Sequence, residues 1–220
     1  TEALIKRAES PGMVIRSEGD IESALANADN SVQATYVMPH MAQAPVEPPV
    51  AIARITDGQA EVWAPVQNPQ AARDGVARHL GLDPAAVTIN VTLLGGGFGR
   101  KSKPDFIFEA ADLAKAHPGR AVRVQWTRED DLHHAYFHAL SVDRLEAGLG
   151  DNGKALGWRH RTLSPSISSL FAEDPKHKGN FELGMGFNTL PFDIPAIQLE
   201  NPPAAAHVRI GWFRAVYNLP

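Results

Sequence analysis

Between residues 93 and 106 the chain reads LLGGGFGRKSKPDF, an aliphatic run that ends in three glycines, a Phe-Gly pair and a basic stretch. Glycine has no Cβ, so it adopts positive φ readily and lets another group approach the main chain closely. Successive N–H groups of Gly96, Gly97, Phe98 and Gly99 can then converge on one concavity and hold an anion or an oxo group, with partial positive charge added by a following helix N-terminus. The loop is not a Walker A motif, because Arg100 stands where that motif needs its last glycine before Lys-Ser. It is not a dinucleotide fingerprint either, because the third glycine would fall at Arg100 or Ser102. From the residues alone two readings stay open: an anion nest, or a tight glycine turn with no ligand.

Other residues attract a chemical reading less strongly. His133, His134 and His138 could suggest a metal, but residues 136–149 read as a strand, no HExxH pattern is near, and solvated loop residues or a channel rim explain them better. Arg128, Glu129, Asp130 and Asp131 read as an exposed turn whose ion pairs are worth little. Trp63, Trp126, Trp158 and Trp212 read as core. The segment GMGFNTLPFDIP, residues 184–195, is either a packed loop or part of a substrate funnel.

The elements that must position the glycine loop are legible from pattern. Asn68 is a good helix N-cap, Pro69 fits the first turn, and Ala72, Val76 and Leu80 recur at helical spacing until Gly81. Residues 87–94 (VTINVTLL) read as a buried strand that runs into the glycines. A second helix begins near Pro104, with Phe106, Ile107, Ala110, Leu113 and Ala114 as its apolar stripe, and Pro118-Gly119 closes it before a strand at 121–126. Upstream, residues 32–38, 50–55 and 60–64 read as strands, the last two as a hairpin about Asp57-Gly58. Downstream, 136–149 and 156–163 read as long strands joined at Asp151-Asn152-Gly153, and 164–205 as mostly irregular. Residues 1–31 read as a connecting arm from an upstream domain, with a short helix over 21–28 capped by Asp20. The fold class expected is α+β, a mixed sheet with two or three packed helices.

Composition narrows the function classes. A length of 220 residues with 44% hydrophobic content supports a buried core. With 21 Lys plus Arg against 25 Asp plus Glu, the net charge of −4 offers nothing to a nucleic acid. The absence of cysteine removes thiolate nucleophiles, Cys-zinc sites and iron–sulfur ligation by this chain. Residues 36–53 are too broken by charge and proline to span a membrane. A start without Met and an end at Asn218-Leu219-Pro220 suggest a piece of a longer protein.

GGGFGR (95–100), with VRVQWTREDD (122–131) downstream of it and APVEPPVAIAR (44–54) upstream, resembles the large subunit of the isoquinoline 1-oxidoreductase and membrane aldehyde dehydrogenase branch of the xanthine dehydrogenase and aldehyde oxidase family. The resemblance runs from about Val32 to the end, which makes residues 32–220 a molybdopterin-binding domain truncated at its C-terminus. It implies cofactor contacts at Gly95, Gly96, Gly97, Phe98, Gly99 and Arg100. Gly211-Trp212-Phe213-Arg214 is similar to a second family segment, which implies Phe213 and Arg214 beside the pterin, although 215–220 depart from that pattern. In much of the family a Gln just before the glycines hydrogen-bonds an oxo ligand; here Gly95 stands there. The implied reaction inserts water-derived oxygen at an electron-poor carbon of an aldehyde or N-heterocycle. Its metal is held by the pterin, in the cytosine dinucleotide form, without protein ligands. Iron–sulfur clusters are implied on a small partner subunit, with a cytochrome c subunit as a further carrier. The family's base, a Glu after a Gly-x-Gly motif, has no counterpart at Glu182 or Glu200, so no catalytic residue is assigned. A non-catalytic binding or scaffold domain that keeps the fold without the cofactor is the alternative.

Overall fold

A computed structural model of the chain describes residues 1–171, 175–205 and 207–214. In chain order its elements are α1 (Glu2–Ala8), β1 (Met13–Glu18), α2 (Ile21–Ala26), β2 (Asn30–Met38), β3 (Val50–Thr56), β4 (Gln59–Ala64), α3 (Pro69–Leu80) and β5 (Val87–Val91). They continue with α4 (Asp105–Ala116), β6 (Ala121–Gln125), α5 (Arg128–His133), β7 (Ser141–Leu149), β8 (Ala155–Leu163), α6 (Asn180–Leu183) and β9 (Ala196–Asn201). The chain forms two units, one from residues 1–41 and 138–210, the other from 42–137 and 211–214. Each carries one mixed sheet, so the expected α+β class is realised with two sheets.

The second unit holds the glycine loop. Its sheet runs β5-β4-β3-β6, with β5 parallel to β4 and the other pairs antiparallel. Thr56 pairs with Gln59 across Asp57 (φ 49°) and Gly58 (φ 77°), the two left-handed positions of a tight hairpin. Ala51 and Ala53 on β3, and Ala60, Val62 and Ala64 on β4, turn to the same covered face. The small side chains on both partners let α4 lie close to the sheet through Phe106, Ile107, Ala110, Ala111 and Ala114. Leu113, expected in that stripe, is 48% exposed; Ala111 takes its place on the buried face.

Helix α3 starts and stops where the pattern places it. Asn68 accepts the Ala71 amide (3.1 Å), Pro69 opens the helix, and Gly81 ends it at φ 72°. Asn68→Ala is expected to destabilise the second unit by about 1 kcal/mol, read as a lower denaturant midpoint with unchanged slope.

In the first unit the sheet runs β1-β9-β8-β7-β2. Residues 1–31, expected as a connecting arm, are part of it: β1 pairs with β9, α1 packs Ala8, Leu4 and Ile5 onto Val142 and Leu163, and β2 begins at Asn30. An edge strand has one hydrogen-bonded neighbour and needs little apolar alternation, so β1 gives a weak signal. The region 164–205 likewise contains β9, a central strand parallel to β8. Its end is Glu200-Asn201, both fully buried, a pairing of burial and polarity that hydropathy patterning does not recognise. The strand expected from 136 begins only at Ser141, and the one expected over 87–94 ends at Val91 on a sheet edge, leaving Leu93 95% exposed.

Candidate functional site

Beyond β5 one more ladder bond, from the Thr92 amide to the Ala64 carbonyl (3.2 Å), carries the chain to the glycines. Gly96, Phe98 and Gly99 then take φ of 91°, 51° and 93° while Gly97 does not, so left-handed and ordinary backbone mix within four residues, the mixture from which anion nests are built. Phe98 is a non-glycine residue in the left-handed region, which is strain seen mainly where surroundings impose it. The amides of Gly96, Gly97 and Phe98 meet no hydrogen-bond acceptor among the described residues. The Gly99 amide, expected in the same nest, is taken by Gln67 Oε1 (3.0 Å). Helix α4 does not follow directly: a single tight turn at Arg100–Ser102 intervenes, so its N-terminus is set back from the loop.

Arg100 is buried inside the unit. Its guanidinium, with no exposed surface, makes a two-pronged pair with Asp105 (2.8 Å on each side) and lies 5.0 Å from the Trp126 ring and 5.5 Å from the Tyr136 ring. Lys101 is equally buried and pairs with Glu47 (2.5 Å). Both cations of the loop are thus neutralised inside the unit, and the loop donors without an acceptor among the described residues are main-chain amides. Behind them Arg128 donates to the Pro45 and Val46 carbonyls and pairs with Asp131 (2.5 Å). Asp131, expected in an exposed turn, is 1% exposed because residues 128–133 form α5, opened by a capping box between Thr127 and Asp130. Burial lifts the Asp131 carboxyl above its ordinary value, against the opposing pull of Arg128, Arg100 and Lys101.

The second segment expected at the site does come to the loop. A Cβ built on Gly99 would stand 2.1 Å from the Trp212 carbonyl oxygen, so glycine is required for residues 211–213 to lie where they do. Gln43 fixes them by donating to the Trp212 and Tyr136 carbonyls (2.9 and 2.6 Å), and the Gly211 amide donates to the Phe137 carbonyl (3.0 Å). Phe213 is half-buried and Arg214 exposed; the continuation 215–220 lies outside the described residues.

One residue that no motif singles out is prominent here. Gln67 lies so close to Gly97 that a Cβ there would be 2.4 Å from its Oε1. Its oxygen is occupied by Gly99, which leaves the two N–H donors of its amide. Gln67 stands about thirty positions before the glycines, in the turn before α3. No local spacing signals it, since the link is the hydrogen bond from the Gln67 main-chain amide to the Lys101 carbonyl (3.0 Å). Among the described residues no three His, Asp or Glu side chains converge as a metal site, and His133 and His134 simply close α5. No helix among them is long and apolar enough to cross a membrane.

Bare glycine positions, three amides without acceptors among the described residues and the Gln67 side-chain amide beside Gly97 fit a ligand rich in acceptor atoms, such as a pterin with metal-oxo groups. Similarity to known proteins points the same way. The family model for the molybdopterin cofactor-binding domain matches residues 6–214. The chain is similar to the beta chain of isoquinoline 1-oxidoreductase from Brevundimonas diminuta, 30% identical over 205 residues, covering 89% of this chain and 26% of that protein. It is also similar to a component of the nicotinate dehydrogenase of Pseudomonas putida, 27% identical over 212 residues, covering 94% of this chain and 18% of that protein. The chain thus spans well under a third of the length of these relatives. Quinoline 2-oxidoreductase from Pseudomonas putida 86 has the same fold, with a TM-score of 0.73 at 19% identity over 98% of this chain and 29% of that one. The match begins within α1, so the first strands and helices, like the glycine loop, are parts of one family domain: the chain belongs to the molybdopterin cofactor-binding domain family.

Proposed function

We propose that this chain is the part of a molybdenum-dependent oxidoreductase that receives the molybdopterin cofactor on the glycine loop, within a parent enzyme acting on an aldehyde or an N-heterocycle. The observation that carries the reading is that the amides of Gly96, Gly97 and Phe98 meet no acceptor among the described residues and that the Gln67 side-chain amide lies beside Gly97. These four donors would contact the cofactor, with Phe213 and Arg214 beside it. Gly95 and Gly99 anchor the loop ends. Arg100, buried against Asp105 and three aromatic rings, holds the turn beneath the loop rather than the ligand above it. When bound, the cofactor supplies oxidation of an electron-poor carbon with oxygen from water. The chain's share is to bind and orient it with preorganised neutral donors, which act without reorganisation at the moment of reaction.

The remaining parts of the reading rest on the family resemblance. They are the cytosine dinucleotide form of the cofactor, a small iron–sulfur protein to carry electrons away, a cytochrome c after it, and a carboxylate base outside this chain. A chain with no cysteine offers no thiolate to an iron–sulfur cluster, which is consistent with a separate carrier. Metal and pterin analysis of the complete, natively purified protein tests the reading. Stoichiometric molybdenum with a released pterin is the expected result; a folded, complete protein without either would favour a scaffold that keeps the loop and not the ligand.

A further inference from the structure

The glycine loop is gripped at each end, and one buried lysine joins the two grips. At the first end Glu47 holds Gly95 twice: its amide donates to the Gly95 carbonyl (3.0 Å) and its carboxylate accepts the Gly95 amide (3.2 Å). At the far end Gln67 Oε1 accepts the Gly99 amide (3.0 Å). Lys101 connects them, its ammonium on the Glu47 carboxylate (2.5 Å) and its carbonyl on the Gln67 amide (3.0 Å). The Lys101 side chain has no exposed surface, and Glu47 is the ion-pair partner it has among the described residues. A buried ammonium without a counter-charge is strongly unfavourable, so the lysine fixes where the carboxylate must be. Between the grips lie the three amides that meet no acceptor among the described residues.

We propose that the Lys101–Glu47 pair is the positioning element of the cradle: it sets Gly95 relative to Gly99 so that the amides of Gly96, Gly97 and Phe98 are presented before any ligand arrives. Both residues touch the loop and not the ligand. An ordered loop spares the entropy that a slack one would lose on binding, which raises retention without any new contact. An ordinary structural ion pair would stabilise the whole unit; this one is spent locally, because every partner of Glu47 and Lys101 named above belongs to the loop or to Gln67. The consequence for metal retention rests on the cofactor reading above, whereas the ordering of the loop does not.

The test uses the complete protein and two variants. Glu47→Gln with Lys101→Met removes both charges together and leaves neither ion unpaired. Glu47→Asp draws back the one carboxylate oxygen that serves both Gly95 and Lys101 while keeping the charge, and serves if the double variant does not fold. Amide hydrogen exchange at Gly95 and Gly99, the loop amides that have acceptors, in protein stripped of metal, is expected to quicken by about tenfold or more, while exchange across α3 and α4 matches wild type. Molybdenum retained after dialysis of loaded protein is expected to fall by a similar factor. Unchanged loop exchange in a folded variant would overturn the proposal, and so would equal acceleration throughout the second unit, which would make the pair a general support. If wild-type protein carries no molybdenum the cofactor reading fails, and the exchange result still decides this one.

Discussion

Gly97→Val in the complete protein is expected to empty the cofactor site while the fold survives, with bound molybdenum reduced by about tenfold or more, equivalent to at least about 1.4 kcal/mol of binding. The side chain enters midway between Gly95 and Gly99. The atoms it first meets are the Oε1 and Cδ of Gln67, at 2.4 and 2.6 Å from an ideal Cβ. Gln67 is exposed and its amide is the far end of a flexible side chain, so it can swing aside. Gly97 is also not among the positive-φ residues of the loop, so valine brings no left-handed strain there. The fold loses one hydrogen bond, from Gly99 to Gln67, and the ligand loses both its space and a donor. Gly99 offers no such separation: at φ 93° and 2.1 Å from the Trp212 carbonyl, a side chain there moves backbone. Molybdenum analysis with circular dichroism of the Gly97→Val protein checks the expectation; wild-type metal content in a folded variant would show that the cradle is not where the cofactor sits.

The parts of the fold that are legible in the sequence are those where local chemistry decides. Asn68, Pro69 and Gly81 bound α3 because caps and φ restrictions are properties of a few neighbouring residues, and Asp57-Gly58 makes its hairpin for the same reason. The glycine loop is legible as a bare stretch of main chain. Its direction is not: Arg100 looks like a ligand donor in sequence, and only the placement of Asp105, Trp126 and Tyr136 turns it inward. Gln67 carries no signal, and Glu47 enters only as part of the resembling segment 44–54, because their partners are about thirty and fifty positions away, brought close by sheet pairings that no periodicity encodes. The strand β9 is hidden by its own chemistry. Glu200 and Asn201 are buried at 0% exposure, and a pattern search that equates burial with apolarity discards them.

Glu200→Ala is accordingly expected to damage the first unit more than any apolar truncation in the small Ala8, Val142 and Leu163 cluster. The Glu200 carboxylate accepts from Arg161 Nε (2.8 Å), the Gly12 amide (2.7 Å) and Gln198 Nε2 (2.7 Å), and so ties β8, β9 and the residue leading into β1. Removing it leaves the Arg161 guanidinium, 7% exposed, without its charge partner, a change that costs about 3–5 kcal/mol when a buried pair is broken from one side. Amide exchange in β8 and β9 should report that loss. Acid provides an independent check. Burial by itself would raise the Glu200 carboxyl, but the hydrogen bonds from Arg161, Gly12 and Gln198 together outweigh it and hold the group below its ordinary 4.5. A carboxyl lowered by folding stabilises the native state fully above the unfolded-chain value and loses that contribution as pH falls toward the folded one. The stability gap between wild type and Glu200→Ala should therefore be constant near neutrality and narrow progressively below about pH 4.5, as the unfolded wild-type chain begins to take up the proton that the native carboxylate refuses. A gap that stays the same width down to the acid limit of the fold would mean that Glu200 acts through packing and not through its charge.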